Sequence, residues 1–267
     1  MLSVILAILS LSLTMIIHEL GHFLFSLKYK VKVEEFGIGY PPRLLKIKKN
    51  GILYSINAIP FGALTNIYEG DKKNPEKNSF YGQSFLKKFV ILFAGPLFNI
   101  ITAYLIFTLL FTIGLPKNLI PETFNLTTLK VPFYLAPLKS LEFFWILLRE
   151  TFWGLIRVFV NLLLRGDIKE LLGPVGIIAI TSKGFKISLI YGIYILGLIS
   201  FGFGIFNLLP IPALDGGRIM FLLIEKIRKK EISQLTENAI NNIVFVLLLI
   251  LMIFVTIKDF NFFILKK

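Results

Sequence analysis

Long apolar runs alternate with polar, basic stretches along this chain. Four runs are candidates to cross a bilayer, and they cover residues 2–27, 89–115, 187–209 and 242–257. A transmembrane helix needs about 20 mostly apolar residues, so the pattern predicts an all-α polytopic membrane protein with four transmembrane helices. The first run has no basic segment before it and no small-residue cleavage site, so we expect a retained span rather than a signal peptide.

Apolar and polar residues alternate within the segment that follows the first span. The alternation flanks Asn50-Gly51, and this dipeptide between alternating runs is the strongest short-range hairpin signal. We therefore expect a small, membrane-associated β-hairpin or sheet within a cytoplasmic region at about residues 31–67. The second span contains Gly95-Pro96 near its start, and we expect the helix to be interrupted there.

Residues 141–165 are apolar but carry a polar stripe. Its members fall within about 160° of arc at 100° per residue, and they are Glu142, Arg149, Glu150, Arg157, Asn161 and Arg165. The stripe predicts an interfacial amphipathic helix before the third span. Two prolines, Pro210 and Pro212, follow the third span, and we expect extended chain beyond Leu209 because proline removes a backbone donor.

The composition agrees with a membrane protein. Of 267 residues, 55% are hydrophobic and 17% are charged, whereas soluble domains carry about 25% charged residues. The formal net charge is +13, and basic residues concentrate in residues 28–88 and 218–230. The positive-inside rule places both stretches in the cytoplasm, so we expect an inner-membrane protein with its N-terminus outside and no nucleic-acid partner.

Both histidines of the chain lie in His18-Glu19-Leu20-Gly21-His22. Helical residues four apart differ by about 40° around the axis and about 6 Å along it, so both imidazoles can bind one metal. Glu19 lies about 100° from His18, where it can reach water at that metal. A chance cluster is the alternative, but charges inside a span cost roughly 2.5–3.5 kcal/mol each.

A catalytic zinc usually has three protein ligands, so one more ligand is needed. The chain has no cysteine, and a carboxylate is therefore the natural candidate. Asp215 follows an apolar span and a proline-broken backbone, unlike the other aspartates, which are Asp71, Asp167 and Asp259. An ordinary Asp-Gly-Gly turn is the alternative interpretation of Asp215.

Three motifs together resemble those of the site-2 protease family of intramembrane zinc metalloproteases. They are HELGH in the first span, Gly95-Pro96-Leu97-Phe98-Asn99 in the second, and the segment from Asn207 to Gly216 after the third. The most similar group is that of the bacterial regulator-of-sigma-E proteases.

The resemblance implies roles for six residues. His18, His22 and Asp215 correspond to the ligands of one Zn²⁺, and Glu19 corresponds to the catalytic base. Asn99 and Asn207 match family asparagines implicated in holding the substrate or transition state. The active site is expected toward the cytoplasmic side, and the implied substrates are transmembrane proteins such as anti-sigma factors or remnant signal peptides in the lipid bilayer.

One feature departs from that group, whose members carry one or two PDZ domains between the second and third spans. Residues 116–139 are too few for such a domain, so we predict a single protease domain over residues 1–267 without one. The implied reaction is hydrolysis of peptide bonds in or near transmembrane segments, as in regulated intramembrane proteolysis. A membrane metal-ion transporter and a non-proteolytic membrane scaffold are the alternatives.

Overall fold

The computed structural model describes residues 1–114, 130–166, 168 and 170–265, without the side chains of Phe61, Leu162 and Leu163. Most of residues 116–139, the stretch predicted to be too short for a PDZ domain, therefore lies outside the described residues. The helices and strands are α1 Leu2–Lys28, β1 Val33–Lys49, β2 Ile52–Ile67, α2 Phe85–Ile113, α3 Ala136–Arg165, α4 Pro174–Ile187, α5 Leu189–Asn207, α6 Asp215–Arg228 and α7 Gln234–Phe263.

The predicted fold class is confirmed. In the described part of the chain, α1, α2, α5 and α7 are long and apolar enough to cross a membrane. The fourth candidate span, α7, differs most from its predicted bounds. It begins at Gln234, within a polar segment that hydropathy alone does not mark as helical. Helix α3 covers the predicted amphipathic stretch, and its location at the membrane interface stays a prediction.

The β-hairpin turns at the predicted dipeptide. Asn50 and Gly51 have φ values of 52° and 81°, which suit the tight turns that connect antiparallel strands. Lys49 pairs with Ile52 next to the turn, whereas residues 36–38 pair with both residues 54–56 and residues 63–65, so the two strands bend into a small sheet with register shifts rather than one regular hairpin. Its distal apolar side chains are exposed, as in Ile47, whose exposed fraction is 70%.

Two sequence predictions about helix ends are wrong. Helix α2 continues through Gly95 with Pro96 inside it, so the expected interruption does not occur. The chain after α5 is not extended but turns back on itself, since the Ile211 amide donates to the Leu209 carbonyl and the Leu214 amide donates to the Ile211 carbonyl. Helix α6 then begins at Asp215 itself.

The chain divides into two compact units, of which one comprises Leu9–Ile100 and Phe203–Leu248. Its core contains buried side chains from the segments that flank the β-hairpin and from α2 and α6. They are Val31, Phe80, Tyr81, Ile91, Leu92, Ile219 and Leu222. The connector before α2 is fixed by buried Lys72, whose Nζ lies 2.7 Å from both Glu225 Oε1 and Glu237 Oε2. All six site residues predicted from the sequence belong to this unit.

The other unit comprises Met1–Ile8, Ile101–Gly202 and Leu249–Lys267. Aromatic rings pack together in it, with Phe107 and Phe143 centroids 4.9 Å apart. The buried Asp259 carboxylate accepts hydrogen bonds from the amides of Gly173 and Gly176 at 2.7 and 2.9 Å. These bonds satisfy free amides at the start of α4.

Candidate metal centre

The imidazoles of His18 and His22 meet the Asp215 carboxylate at one point. Asp215 Oδ2 lies 3.0 Å from His18 Nε2 and 3.3 Å from His22 Nε2, and the two Nε2 atoms are 3.2 Å apart. Both imidazoles are more than nine-tenths buried. Among the described residues, these three side chains form a group able to hold a metal ion.

Hydrogen bonding determines which ring nitrogen of His22 carries a proton. Its Nδ1 lies 2.8 Å from the Ile91 carbonyl oxygen, and a carbonyl can only accept, so Nδ1 carries a proton. The Nε2 lone pair of the neutral ring then faces Asp215 Oδ2. Such an Nδ1–H bond to a backbone carbonyl is the usual support of a metal-binding histidine.

His18 is supported by the amide of Asn99, which is fully buried. The Asn99 amide and His18 Nδ1 are 3.3 Å apart. With Nε2 bound to a metal, Nδ1 would carry a proton, and the amide oxygen of Asn99 would have to face Nδ1 to accept it. The ring of Phe203 packs edge-on against His18, with centroids 5.3 Å apart.

These ligand atoms fit zinc. Zinc bonds of about 2.0–2.1 Å in a tetrahedron place ligand atoms about 3.3–3.4 Å apart, and the observed separations are 3.0, 3.2 and 3.3 Å. At such distances three lone-pair atoms repel one another unless a cation or a shared proton lies among them. Two imidazoles and one carboxylate also form one of the ligand sets of catalytic zinc.

Glycines on α1 and α2 allow the histidines to occupy this position. A Cβ on Gly95 would lie 2.3 Å from His22 Nε2, and one on Gly21 would lie 2.4 Å from the Ala94 carbonyl oxygen. Because Gly95 has no side chain, α2 can pass directly beside the imidazoles. Sequence reasoning interpreted Gly95 as a helix break and as part of a family motif, but no local signal showed that it lies against His22.

Asp215 is positioned by the turn before α6. A Cβ on Gly217 would lie 2.2 Å from the Ile211 carbonyl oxygen, so the turn packs directly on the first turn of the helix. Ala213 has a φ of 73°, and its amide donates to Asn241 Oδ1 on α7 at 3.0 Å. Sequence reasoning also missed Asn241, which lies in a polar segment without a recognisable motif.

A cavity of about 350 Å³ opens at the three ligand side chains. Glu19 and Asn207 line it, as predicted for residues that contact water or substrate, whereas Asn99 lies behind His18 and is not among its wall residues. The Asn207 amide donates to the Phe203 carbonyl at 3.0 Å. Tyr40 and Arg218 also line the cavity, and neither belongs to a sequence motif identified above.

The cavity wall is further organised by ion pairing and burial. Arg218 lies 2.6 Å from Glu69. Burial alone would lower the pKa of Arg218, but the Glu69 carboxylate and other nearby acidic groups together outweigh it and raise the pKa above its ordinary value. For the Tyr40 phenol, in contrast, burial itself raises the pKa, and the Glu19 carboxylate raises it further. Both groups therefore keep their protons at neutral pH.

Membrane-spanning helices that bring an HExxH pair and an aspartate to one point define the class of membrane zinc metalloproteases. The comparison with protein families agrees, because the model for peptidase family M50 matches residues 6–251. The chain belongs to this family, which includes the site-2 proteases. It is therefore a multi-pass membrane hydrolase with a zinc cofactor, rather than a metal-ion transporter or a scaffold.

Several curated relatives are similar to the chain. A candidate zinc metalloprotease of Clostridium acetobutylicum is 29% identical over 328 residues, covering 96% of this chain and 97% of the relative. Another, of Campylobacter jejuni, is 29% identical over 338 residues, covering 95% and 92%. The zinc metalloprotease RasP of Shouchella clausii is 47% identical over 89 residues, covering 33% of this chain and 21% of the relative.

Proposed function

We propose that the protein hydrolyses peptide bonds in or near the transmembrane segments of membrane protein substrates. The observation that carries this proposal is the convergence of His18, His22 and Asp215 beside Glu19 in one cavity. The histidines lie within α1, which is apolar enough to cross a membrane. A site built into a span suits a substrate that is itself in the bilayer.

In this proposal His18, His22 and Asp215 hold the metal, and Glu19 is the general base. Zinc held there lowers the pKa of water to about 7 and polarises a carbonyl. Glu19 takes the proton of the attacking water and later gives it to the leaving amine. Ile91 and Asn99 orient the two histidines, a role for Asn99 that differs from the substrate contact implied by resemblance.

A helical substrate must unwind locally before its peptide bond is attacked, because its carbonyls are occupied by internal hydrogen bonds. Unwinding in lipid is costly unless new hydrogen bonds replace those lost. Asn207 on the cavity wall can provide one of them. The β-hairpin has free edges and could pair with the unwound segment by β-strand addition.

Orientation and substrates follow from the charge distribution and from family resemblance. We propose an inner-membrane location, with the N-terminus outside and the metal site toward the cytoplasm, without gating by a PDZ domain. Anti-sigma factors and remnant signal peptides are the proposed substrate classes. Cysteine labelling can test the orientation, since the chain has no cysteine and the exposed Glu142 is a suitable position; Glu142→Cys should react only from outside.

The decisive variant is Glu19→Gln, which removes the base but none of the three proposed ligands. We expect the purified variant to keep near-stoichiometric zinc and to lose cleavage of a membrane-inserted substrate. Glu34→Gln, at an exposed site on β1, is the matched control and should cleave normally. Undiminished cleavage by the Glu19 variant would refute the assignment, and the inactive variant can be used to trap substrates.

A further inference from the structure

Tyr40 of β1 lies in the wall of the metal-site cavity. It shares this wall with His18, Glu19, His22 and Asp215, and its exposed fraction is 47%. A tyrosine with an accessible ring on the wall of a hydrolytic site can contact substrate through either its ring or its hydroxyl.

The Tyr40 ring is held in place by its surroundings. Gly62 on β2 has a φ of 80°, and a Cβ there would lie 2.7 Å from Tyr40 Cε2, so the ring packs directly on the backbone of the neighbouring strand. Gly39 precedes Tyr40, and its carbonyl accepts a hydrogen bond from the buried Asn57 amide at 2.9 Å. The backbone before Tyr40 is therefore anchored, and one face of its ring packs against Gly62.

Some donors of the other polar wall residues are already engaged, although Arg218 and Asn207 each keep further N–H groups. The Thr65 hydroxyl donates to the Glu19 carbonyl at 3.0 Å. Arg218 is paired with Glu69, and the Asn207 amide donates to Phe203, although it has a second N–H. Tyr40 is the hydroxyl on this wall for which the described residues provide no hydrogen-bond partner.

We propose that the Tyr40 hydroxyl donates a hydrogen bond to the substrate carbonyl oxygen as negative charge develops on it. This inference rests on the proposed function. The water oxygen adds to the carbonyl carbon, the π electrons move to the carbonyl oxygen, and the water proton passes to Glu19. When the C–N bond breaks, its electron pair goes to nitrogen, which takes that proton, and an electron pair of the oxyanion re-forms the C=O bond of the new carboxyl group. Tyr40 keeps its own proton throughout.

A donor aimed at the developing oxyanion stabilises the transition state more than the ground state. Removing one such donor typically lowers kcat by about a hundredfold or more. Substrate affinity should change little, because the ground-state carbonyl is a weaker acceptor.

The test is Tyr40→Phe, which removes the hydroxyl and keeps the ring. We expect kcat to fall about a hundredfold with KM little changed and zinc content unaltered. The inhibition constant of a phosphinic peptide, which is tetrahedral at the position of the scissile carbon, should rise by a comparable factor. Tyr54→Phe is the matched control on the same hairpin, outside the cavity wall, and should behave like the parent protein.

An unchanged kcat, or a raised KM alone, would overturn this role of Tyr40. A fall in kcat without any loss of phosphinic peptide affinity would also contradict it. Asn207→Ala measured in parallel shows whether the second amide hydrogen serves instead. Glu19→Gln separates the two proposals, because full cleavage by that variant refutes the proposed function, whereas its inactivity combined with a fully active Tyr40→Phe refutes only the present inference.

Discussion

The two halves of the metal centre are built in different ways. His18 and His22 lie on one continuous helix, α1, where the four-residue spacing brings both imidazoles to one side. Asp215 reaches the same point after α5 ends at Asn207 and the chain passes through an irregular turn. The histidine half is thus determined by helix geometry, and the aspartate half depends on packing between distant segments.

The supporting contacts differ in the same way. Helix α2 supports the histidine half through the Ile91 carbonyl, the Asn99 amide and the absence of a side chain at Gly95. The aspartate half is supported by Gly217 within α6 and by Asn241 on α7. Substitutions can therefore disturb the histidine half and the aspartate half separately, and their effects on the metal centre can be compared.

Removal of a ligand should have the largest effect, and the effect should be similar in both halves. His22→Ala and Asp215→Ala should each weaken zinc binding by more than about a hundredfold, because two ligands hold zinc far less well than three. Zinc content measured after dialysis against a weak chelator checks this. Asp71→Ala, at an exposed aspartate, is the control; full zinc retention by Asp215→Ala would require a different third ligand.

Gly95→Ala tests the approach of α2 to the histidines. The added methyl group would lie 2.3 Å from His22 Nε2, so we expect loss of zinc and of cleavage although all three ligands remain. Gly202→Ala on α5 is the control, because nothing lies within 4 Å of its added Cβ. An active, zinc-loaded Gly95→Ala variant would mean that α2 can move away from α1 at little cost.

Gly217→Ala is the corresponding test in the aspartate half. Its Cβ would lie 2.2 Å from the Ile211 carbonyl oxygen, and the turn must shift with Asp215. We expect at least a tenfold loss of zinc affinity, smaller than for Gly95→Ala because the histidines stay in place. Titration with a competing chelator measures it, and Gly154→Ala, in open space, should be neutral; equal affinity for both variants would contradict the prediction.

Asn99→Ala should have an intermediate effect on the histidine half. Loss of an outer partner of a metal-binding histidine typically lowers metal affinity 10- to 100-fold. Asn99→Asp keeps an oxygen acceptor for His18 Nδ1 and should restore most of that affinity. If Asn99→Ala lowers kcat without changing zinc affinity, then Asn99 acts on the substrate, as the family resemblance implies.

Asn241→Ala should have the smallest effect. It removes the acceptor for the Ala213 amide, and an unsatisfied partly buried donor costs about 1 kcal/mol. We expect a slightly lower melting temperature in detergent and at most a few-fold loss of zinc affinity. Asn241→Asp keeps the acceptor and should melt like the parent protein; identical melting of both variants would show that water replaces the bond.

The sequence by itself determined the elements whose information is local. Hydropathy defined four membrane helices, Asn50-Gly51 defined the hairpin turn, and the spacing of His18 and His22 predicted that they share a metal. The helices and the turn agree with the structure because each depends on neighbouring residues and on the fixed periods of helix and strand, whereas the shared metal stays a prediction. The family resemblance then assigned Asp215, for which local geometry left a simple turn as an alternative.

Only the tertiary structure decided how distant residues meet. It showed that α2 is continuous at Gly95, that the chain after α5 folds into a turn, and that Asp215 Oδ2 lies 3.0 Å from His18 Nε2. It also brought Tyr40 into the cavity wall and Asn99 behind His18. Such contacts join separate segments, and their distances depend on close packing between helices, which no local pattern of residues encodes.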